Sequence, residues 1–325
     1  MMEKAQTCIH CNLCTKNCEF LKKYNLDLEG FSSREDLSYN CFLCGKCKEV
    51  CPKDIDGKEI ALSMRNEKVK NNNHIIKDRD YNMILKEKNP YIFSNYKNSN
   101  KKSVLFPGCN FVSFFPTTGK VLINELKKYD IGVIFDCCQK PIYELGLKED
   151  ADKNLQPLRE KIKEANIEEI IVVCPNCYYF LKERLDVNII TIYEKLKELN
   201  IGQIIKEEYM PIYYPCPDRE EKLFFNTIKP FIEGEVKDSF KSTQCCGLGG
   251  CASSKESEIA VGFAKSVSLA EEEKLFTYCA SCVGNFKRKG FLNPYHILTL
   301  VLNVKEEVPL GMKSLFNRAM FKFKK

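Results

Sequence analysis

Read as a pattern of apolar and polar positions, the chain changes character near residue 103. Ahead of that point, "EFLKKYNLDLEGFSSREDLSYN" (19–40) is rich in polar residues and reads as helix, turn, helix. "GKEIALSMRNEKVKNN" (57–72) carries apolar residues at helical spacing. A polar, asparagine-rich stretch follows, "NNNHIIKDRDYNMILKEKNPYIFSNYKNSNKKS", which reads as a linker with one helix. Beyond it the period shortens. "SVLF", "IGVIF" and "EIIVVC" are short β-rich apolar runs, separated by the helical patterns "TGKVLINELKKY" and "NLQPLREKIKEAN". Further on, "PIYY" and "KLFTY" read as strands and "SKESEIAVGFAKSVSLAEEE" as a helix. Strands alternating with helices predict parallel sheets covered by helices.

The totals sharpen this. A chain of 325 residues, 44% hydrophobic and 29% charged, is globular and long enough for two or three domains. No run of about 18 apolar residues occurs, so no transmembrane helix is expected. The start, "MMEKAQTCIHCNLC", has no apolar stretch of signal-peptide length. A cytoplasmic protein is therefore expected, with peripheral contact at the inner face of the membrane as the other option. In that compartment 19 cysteines point to metal binding rather than disulfides. The net charge of +6 comes mostly from scattered lysines and reads as a solvated surface, open to an acidic partner or a membrane surface. No nucleic-acid motif is present.

The N-terminal cysteines are the most specific signal. "CIHCNLCTKNC" spans Cys8, Cys11, Cys14 and Cys18; "CFLCGKCKEVCP" spans Cys41, Cys44, Cys47 and Cys51. Both follow C-x2-C-x2-C-x3-C, the two-cluster ferredoxin pattern for [4Fe–4S] centres. Each loop offers three thiolates to one cube, and the fourth cysteine serves the other. Cys8, Cys11, Cys14 and Cys51 are thus expected to hold cluster I, and Cys41, Cys44, Cys47 and Cys18 cluster II. Zinc needs only four ligands, usually as two CxxC pieces. The first motif ends in Cys18-Glu19 where ferredoxins often have Cys-Pro. His10 reads as an exposed residue between ligands.

The remaining cysteines repeat. Cys109 matches Cys216, Cys137–Cys138 matches Cys245–Cys246, and Cys174 and Cys177 match Cys279 and Cys282, at offsets of 107, 108, 108, 105 and 105 residues. Five positions in near register indicate a duplication. A vicinal pair is a poor disulfide: neighbouring Cα atoms lie about 3.8 Å apart, against roughly 4.4–6.8 Å in ordinary bridges. Its two sulfurs can instead bind different irons. Cysteines at the carboxyl ends of parallel strands, with a CxxC at a helix start, sit where amides favour thiolate. Five thiols per half exceed what a cube needs; an open cluster with a bridging thiolate would use all of them.

With "LFPGC", "CCQKPIYELG", "CPNC", "YYPC", "CCGLGG" and "CASC" after a two-cluster ferredoxin segment, the chain resembles the D-type subunit of heterodisulfide reductase. It is also similar to the iron–sulfur subunits of glycolate oxidase, lactate-utilisation and anaerobic glycerol-3-phosphate dehydrogenase systems. The resemblance covers residues 5–300 or so. It implies an α+β and α/β multidomain fold: a mainly helical two-[4Fe–4S] ferredoxin domain (1–70), a linker (71–102), two duplicated cysteine-rich "CCG" domains (103–200 and 201–300) and a basic tail (301–325). It further implies one or two more [4Fe–4S] clusters, of non-cubane or ordinary type, held by Cys109, Cys137, Cys138, Cys174 and Cys177 and by Cys216, Cys245, Cys246, Cys279 and Cys282. The first copy has Gln139 where the motif has glycine, so the second five are expected to carry the catalytic chemistry.

The expected function is an iron–sulfur oxidoreductase subunit that passes electrons through the ferredoxin clusters to the CCG sites and reduces a disulfide or similar acceptor. The alternative is an electron-transfer subunit of a flavoprotein 2-hydroxy acid or glycerol-3-phosphate dehydrogenase, delivering to a quinone or carrier. No G-x-G-x-x-G follows a strand, so a flavin is expected on a partner subunit. A pair of thioredoxin-like modules is a third reading, which the vicinal cysteines and the ferredoxin segment oppose. Cys251 reads as a buried free thiol and His296 as a capping or core residue. "MKSLFNRAMFKFKK" reads as a basic amphipathic helix packed on the body, with a membrane surface or a partner as the other option.

Overall fold

The computed structural model describes residues 2–291 and 293–323. Its N-terminal part is helical. Short helices Leu13–Asn17, Glu19–Tyr24 and Leu28–Ser32, a 3-10 turn Glu35–Asn40 and the long helix Gly57–Asn71 enclose a core of Phe20, Leu21, Leu28, Phe31, Ile60, Ala61 and Met64. The helix starts have local causes. The carboxylates of Asp27 and Asp56 accept from the backbone N–H groups of Gly30 and Lys58, 2.8 Å each, satisfying donors that the first turn leaves free.

The polar stretch after Asn71 is structured too. It forms the helix Asn82–Lys88 and strand β1 (Asn95–Asn98). β1 pairs antiparallel with β3 (Gly132–Phe135) at the edge of a five-stranded sheet. The other members, β2 (Ser103–Phe106), β4 (Glu169–Val172) and β5 (Asn188–Thr191), run parallel, in the order β1-β3-β2-β4-β5. β2 to β4 are the expected apolar runs, buried on both faces as parallel strands under helices must be. A capping box at Thr191 and Glu194 turns β5 into the helix Ile192–Glu198.

The second half repeats this plan. β6 (Ile205–Pro211) pairs parallel with β7 (Ile232–Lys237), and β8 (Leu275–Thr277) with β9 (Pro294–His296). A parallel bridge between Ile212 and Phe276 joins the two pairs. The order β7-β6-β8-β9 thus reproduces β3-β2-β4-β5. The strand expected at "PIYY" lies earlier, at Ile205–Pro211, and β7 gave no signal at all. Both carry exposed polar residues, so the apolar pattern that marks buried strands is missing there.

One hydrophobic core runs through both halves, with Phe106, Ile134, Ile171 and Val172 on one side and Met210, Ile212, Phe224, Phe276 and Ile297 on the other. The helical part is fastened to it by Arg65. This fully buried guanidinium donates to the carbonyls of Ser38 (3.0 Å), Cys41 (2.8 Å), Glu144 (2.7 Å) and Gly250 (2.9 Å), so it touches all three parts of the molecule. Glu256, also buried, adds a second tie by accepting from Lys23 (2.6 Å), Tyr24 (2.7 Å) and Asn40 (2.6 Å).

Candidate metal and substrate centre

Each half places its five thiols at the carboxyl ends of its strands. Cys109 follows β2 and opens the helix Cys109–Phe114. Cys137 and Cys138 follow β3. Cys174 is the N-cap of the helix Pro175–Lys182, and Cys177 lies in that helix's first turn. In the second half Cys279 caps Ala280–Arg288 in the same way. Gln139 takes the left-handed conformation, φ +65°, that Gly247 takes in the other half at φ +86°. The glycine missing from the first copy therefore does not cost that copy its backbone turn. The buried Gln139 accepts a hydrogen bond from Asn154 (3.3 Å).

Contacts between thiols form an unbroken series. In the first half it runs Cys109–Cys137–Cys138–Cys177–Cys174. Cys174 touches Cys279, and the series continues Cys279–Cys282–Cys246–Cys245–Cys216. Cys245 also touches Cys44 of the N-terminal part. All ten CCG-type thiols line one cavity of about 480 Å³. Phe42, Leu43, Lys88, Lys140 and Arg318 also line it, and so does Cys251. That thiol is half-buried, and burial pushes it up to about 11.

Proton sharing sorts these sulfurs. Hydrogen bonds from Cys137 and Cys177 pull Cys138 down to about 5. Those from Cys245 and Cys282 hold Cys246 well below the usual thiol range. The donors rise in turn: Cys177 is pushed up by Cys138 and Cys174, and Cys245 by Cys216, Cys246 and Cys44. Buried sulfurs this close cannot all ionise without added positive charge. The outer cysteine of each half has a cation bonded to it. Lys88 donates to Cys109 (3.1 Å) and Arg219 to Cys216 (3.5 Å). Burial opposes the Lys88 charge, but Cys109 and Cys137 keep it protonated well above the usual range. The donor set, soft, crowded and anionic, fits iron–sulfur clusters.

In the N-terminal part, Cys8, Cys11, Cys14 and Cys51 surround one small pocket. Cys11 is exposed, so this group lies near the surface. Cys18, Cys41, Cys44 and Cys47 act on one another electrostatically and are more enclosed. Gly249 and Gly250 explain part of "CCGLGG": a Cβ on them would meet the carbonyl oxygens of Phe42 at 2.2 Å and Cys41 at 2.7 Å. They let the second half seat on the cysteine loop of the N-terminal part. His10 is exposed and pairs with Asp27 (2.7 Å) and Glu29 (3.1 Å). His296 is a buried helix cap, accepting from Leu298 N (3.3 Å), and burial lowers it to about 3.

Sequence reading missed Lys88, Arg219, Gln244 and Asn176. Lys88 sits in what reads as linker. Gln244 is the residue before Cys245; its side chain reaches Cys18 (3.4 Å) and Cys44 (3.5 Å). Asn176, inside "CPNC", points across to Cys279 (3.8 Å) and accepts from Lys140 (2.8 Å). Only its place between two cysteines hinted at a role.

These features define the class: a protein with two cysteine-rich domains built around paired five-thiol sites. The CCG cysteine-rich domain family matches residues 103–182 and 232–287, and the chain carries two such domains. It is similar to an uncharacterised iron–sulfur protein of Methanococcus maripaludis, 23% identical, covering 86% of this chain and 67% of that one. A second uncharacterised iron–sulfur protein, from Methanocaldococcus jannaschii, is 24% identical over 83% of this chain and 58% of its own length. One subunit of the CoM/CoB fumarate reductase of Methanothermobacter marburgensis is 24% identical, covering 86% of this chain and 67% of its own. The chain thus spans about two thirds or less of these relatives. Among solved structures, an aspartate racemase of Picrophilus torridus overlaps at a TM-score of 0.29 and 10% identity over 67% of this chain and 99% of that one, too little to carry an inference.

Proposed function

We propose that this chain is an iron–sulfur electron-transfer subunit that reduces a disulfide, or a similar two-electron acceptor, in the cavity between its two CCG domains. The observation that carries the reading is the contact between Cys174 and Cys279, which brings both five-thiol sites onto one 480 Å³ cavity. Cys8, Cys11, Cys14 and Cys51 would hold cluster I, and Cys18, Cys41, Cys44 and Cys47 cluster II. The two sets of five would hold one further cluster each, of non-cubane type. When bound, such clusters supply one-electron transfer and iron atoms that accept thiolate sulfur.

The chain's own residues do the rest. The exposed Cys11 marks the side facing a donor, a flavoprotein or other electron-transfer subunit. The Cys44–Cys245 contact joins that segment to the second CCG site, and Cys279–Cys174 joins the second to the first. Cleaving one S–S bond takes two electrons and yields two thiolates, one for each site. Lys88 and Arg219 hold the outer cysteines of the two sites with positive charge, and Asn176 and Lys140 line the path between them. The test is anaerobic purification, iron analysis and EPR with and without a disulfide, with a reduced viologen as donor. About four irons per cluster, a disulfide-dependent signal and thiol release support the reading. Colourless protein, or a loaded protein whose spectrum and turnover ignore every disulfide, overturns it.

A second reading, the relay to a quinone or carrier beside a flavoprotein dehydrogenase, has one observation in its favour. The helix Lys313–Lys322 buries Phe321 on the body but exposes Phe316 and Met320, with Met312 and Phe323 exposed at its ends. That apolar stripe beside Lys313 and Lys322 suits a membrane surface. Lys324 and Lys325 lie outside the described residues. Among the described residues no helix is long and apolar enough to cross a membrane.

A further inference from the structure

We infer that Gln244, a residue of the second CCG domain, makes cluster II the more readily reduced of the two ferredoxin-type clusters, and so draws electrons toward the second CCG site. The inference rests on the proposal that the eight N-terminal cysteines hold two clusters; it does not require that the acceptor be a disulfide.

Gln244 is firmly held. Its side-chain oxygen accepts from the backbone N–H of Glu19 (2.8 Å), a group that can only donate. The amide is thereby oriented, with its NH2 end toward sulfur. That NH2 lies 3.4 Å from Cys18 Sγ and 3.5 Å from Cys44 Sγ, two of the four cluster II ligands. The residue is buried, so water does not compete. Its own carbonyl accepts from Arg219 (2.7 Å), which also reaches Cys216, and its chain neighbour is Cys245. One residue therefore touches both groups of sulfurs across which an electron must pass.

An N–H donor on a ligand sulfur withdraws negative charge and favours the reduced, more anionic cluster. Positive charge nearby acts the same way. Arg65 is fully buried, donates to the Cys41 carbonyl (2.8 Å) and has no carboxylate partner among the described residues. Among the described residues no side-chain amide donates to a cluster I sulfur, and the cation that lines the cluster I pocket is Lys53. The side-chain contact at the cluster I sulfurs is Thr15 at 4.0 Å from Cys14, and a carboxylate acts on each group, Asp27 on Cys14 and Asp56 on Cys41 and Cys47. The amide donor, placed on two sulfurs of cluster II, is thus what separates the two groups.

The test is a redox titration of the full, cluster-loaded protein followed by EPR, with a Cys11→Ser variant to identify the cluster I signal. Gln244→Leu removes the donor at similar size. Gln244→Glu keeps an acceptor for Glu19 but turns a carboxylate oxygen toward the sulfurs. The expected order of cluster II midpoints is wild type above Leu above Glu, with cluster I unmoved. Each step should lower the reduced-to-oxidised ratio of cluster II about tenfold at fixed potential, which is 59 mV for one electron. If Gln244→Leu does not retain iron, Gln244→Glu decides alone. The inference is overturned if cluster II does not move, if both clusters move equally, or if cluster I already has the higher midpoint in the wild type. Disulfide turnover is measured separately. Its absence beside the expected midpoints would sink the proposed reaction and leave Gln244's role standing.

Discussion

The two CCG sites share strand order, five-thiol layout and a backbone turn at the residue after the vicinal pair, yet their surroundings are not copies. The first is held by Lys88, which arrives from the stretch before the sheet, and the cavity wall nearby includes Arg318 from the last helix. The second is held by Arg219 from its own half and abuts the N-terminal part through Cys44, Gln244 and the glycines at 249 and 250. Duplication preserved the chemistry each half can do. What sets the halves apart is which neighbour each site faces: the thiols of the second touch Cys44 of the N-terminal part, and those of the first touch Lys88 and the second site.

That contrast can be broken most severely at the vicinal cysteines. Cys245→Ser removes the thiol that touches Cys44, Cys216 and Cys246 together. It should leave both CCG sites oxidised when the N-terminal clusters are reduced, and cut turnover by more than the ~10–100-fold that losing a supporting partner usually costs. Cys137→Ser should instead leave the second site reducible. Rapid-freeze EPR of the two variants compares them directly, and equal loss in both would erase the proposed order of the sites.

A smaller effect should follow from acid. Burial works against the Glu256 charge, but hydrogen bonds from Lys23, Asn40 and Tyr24 outweigh it and hold its carboxyl below the ordinary 4.5. A depressed carboxyl stabilises the folded state above its unfolded value, and that contribution is lost as pH falls through the folded value. Glu256 joins the helical part to the second half only. Hydrogen exchange in Glu19–Tyr24 should therefore be faster in Glu256→Gln than in wild type at pH 7, and the gap should begin to close below pH 4.5. A gap that does not depend on pH would mean that the charge is not what fastens the two parts.

The smallest effect is expected at Gln139. Glycine there would relieve the left-handed conformation, worth about 1–2 kcal/mol. It would also loosen the unfolded chain, about 0.5–1 kcal/mol the other way, and remove the contact with Asn154. Gln139→Gly should shift stability by less than about 1 kcal/mol and leave the first site's iron content unchanged. A gain of iron in that variant would show that the side chain, and not the turn, sets the first site apart.

Much of this was legible along the chain because it is local. The C-x2-C-x2-C-x3-C runs, the five-cysteine repeat and the buried strands β2, β3 and β4 depend on spacing and on short apolar runs. Exposed β7 and edge strand β1 left no such trace, since a strand without a buried face has no alternation to read. The partners of the sulfurs were invisible for a different reason. Lys88, Gln244 and Arg65 are ordinary polar residues until folding carries them, across 21 residues between Lys88 and Cys109 and 226 between Gln244 and Cys18, to sites where water is excluded. A thiol's identity is written in its own codon, but its charge and its neighbours belong to whatever the tertiary structure buries beside it.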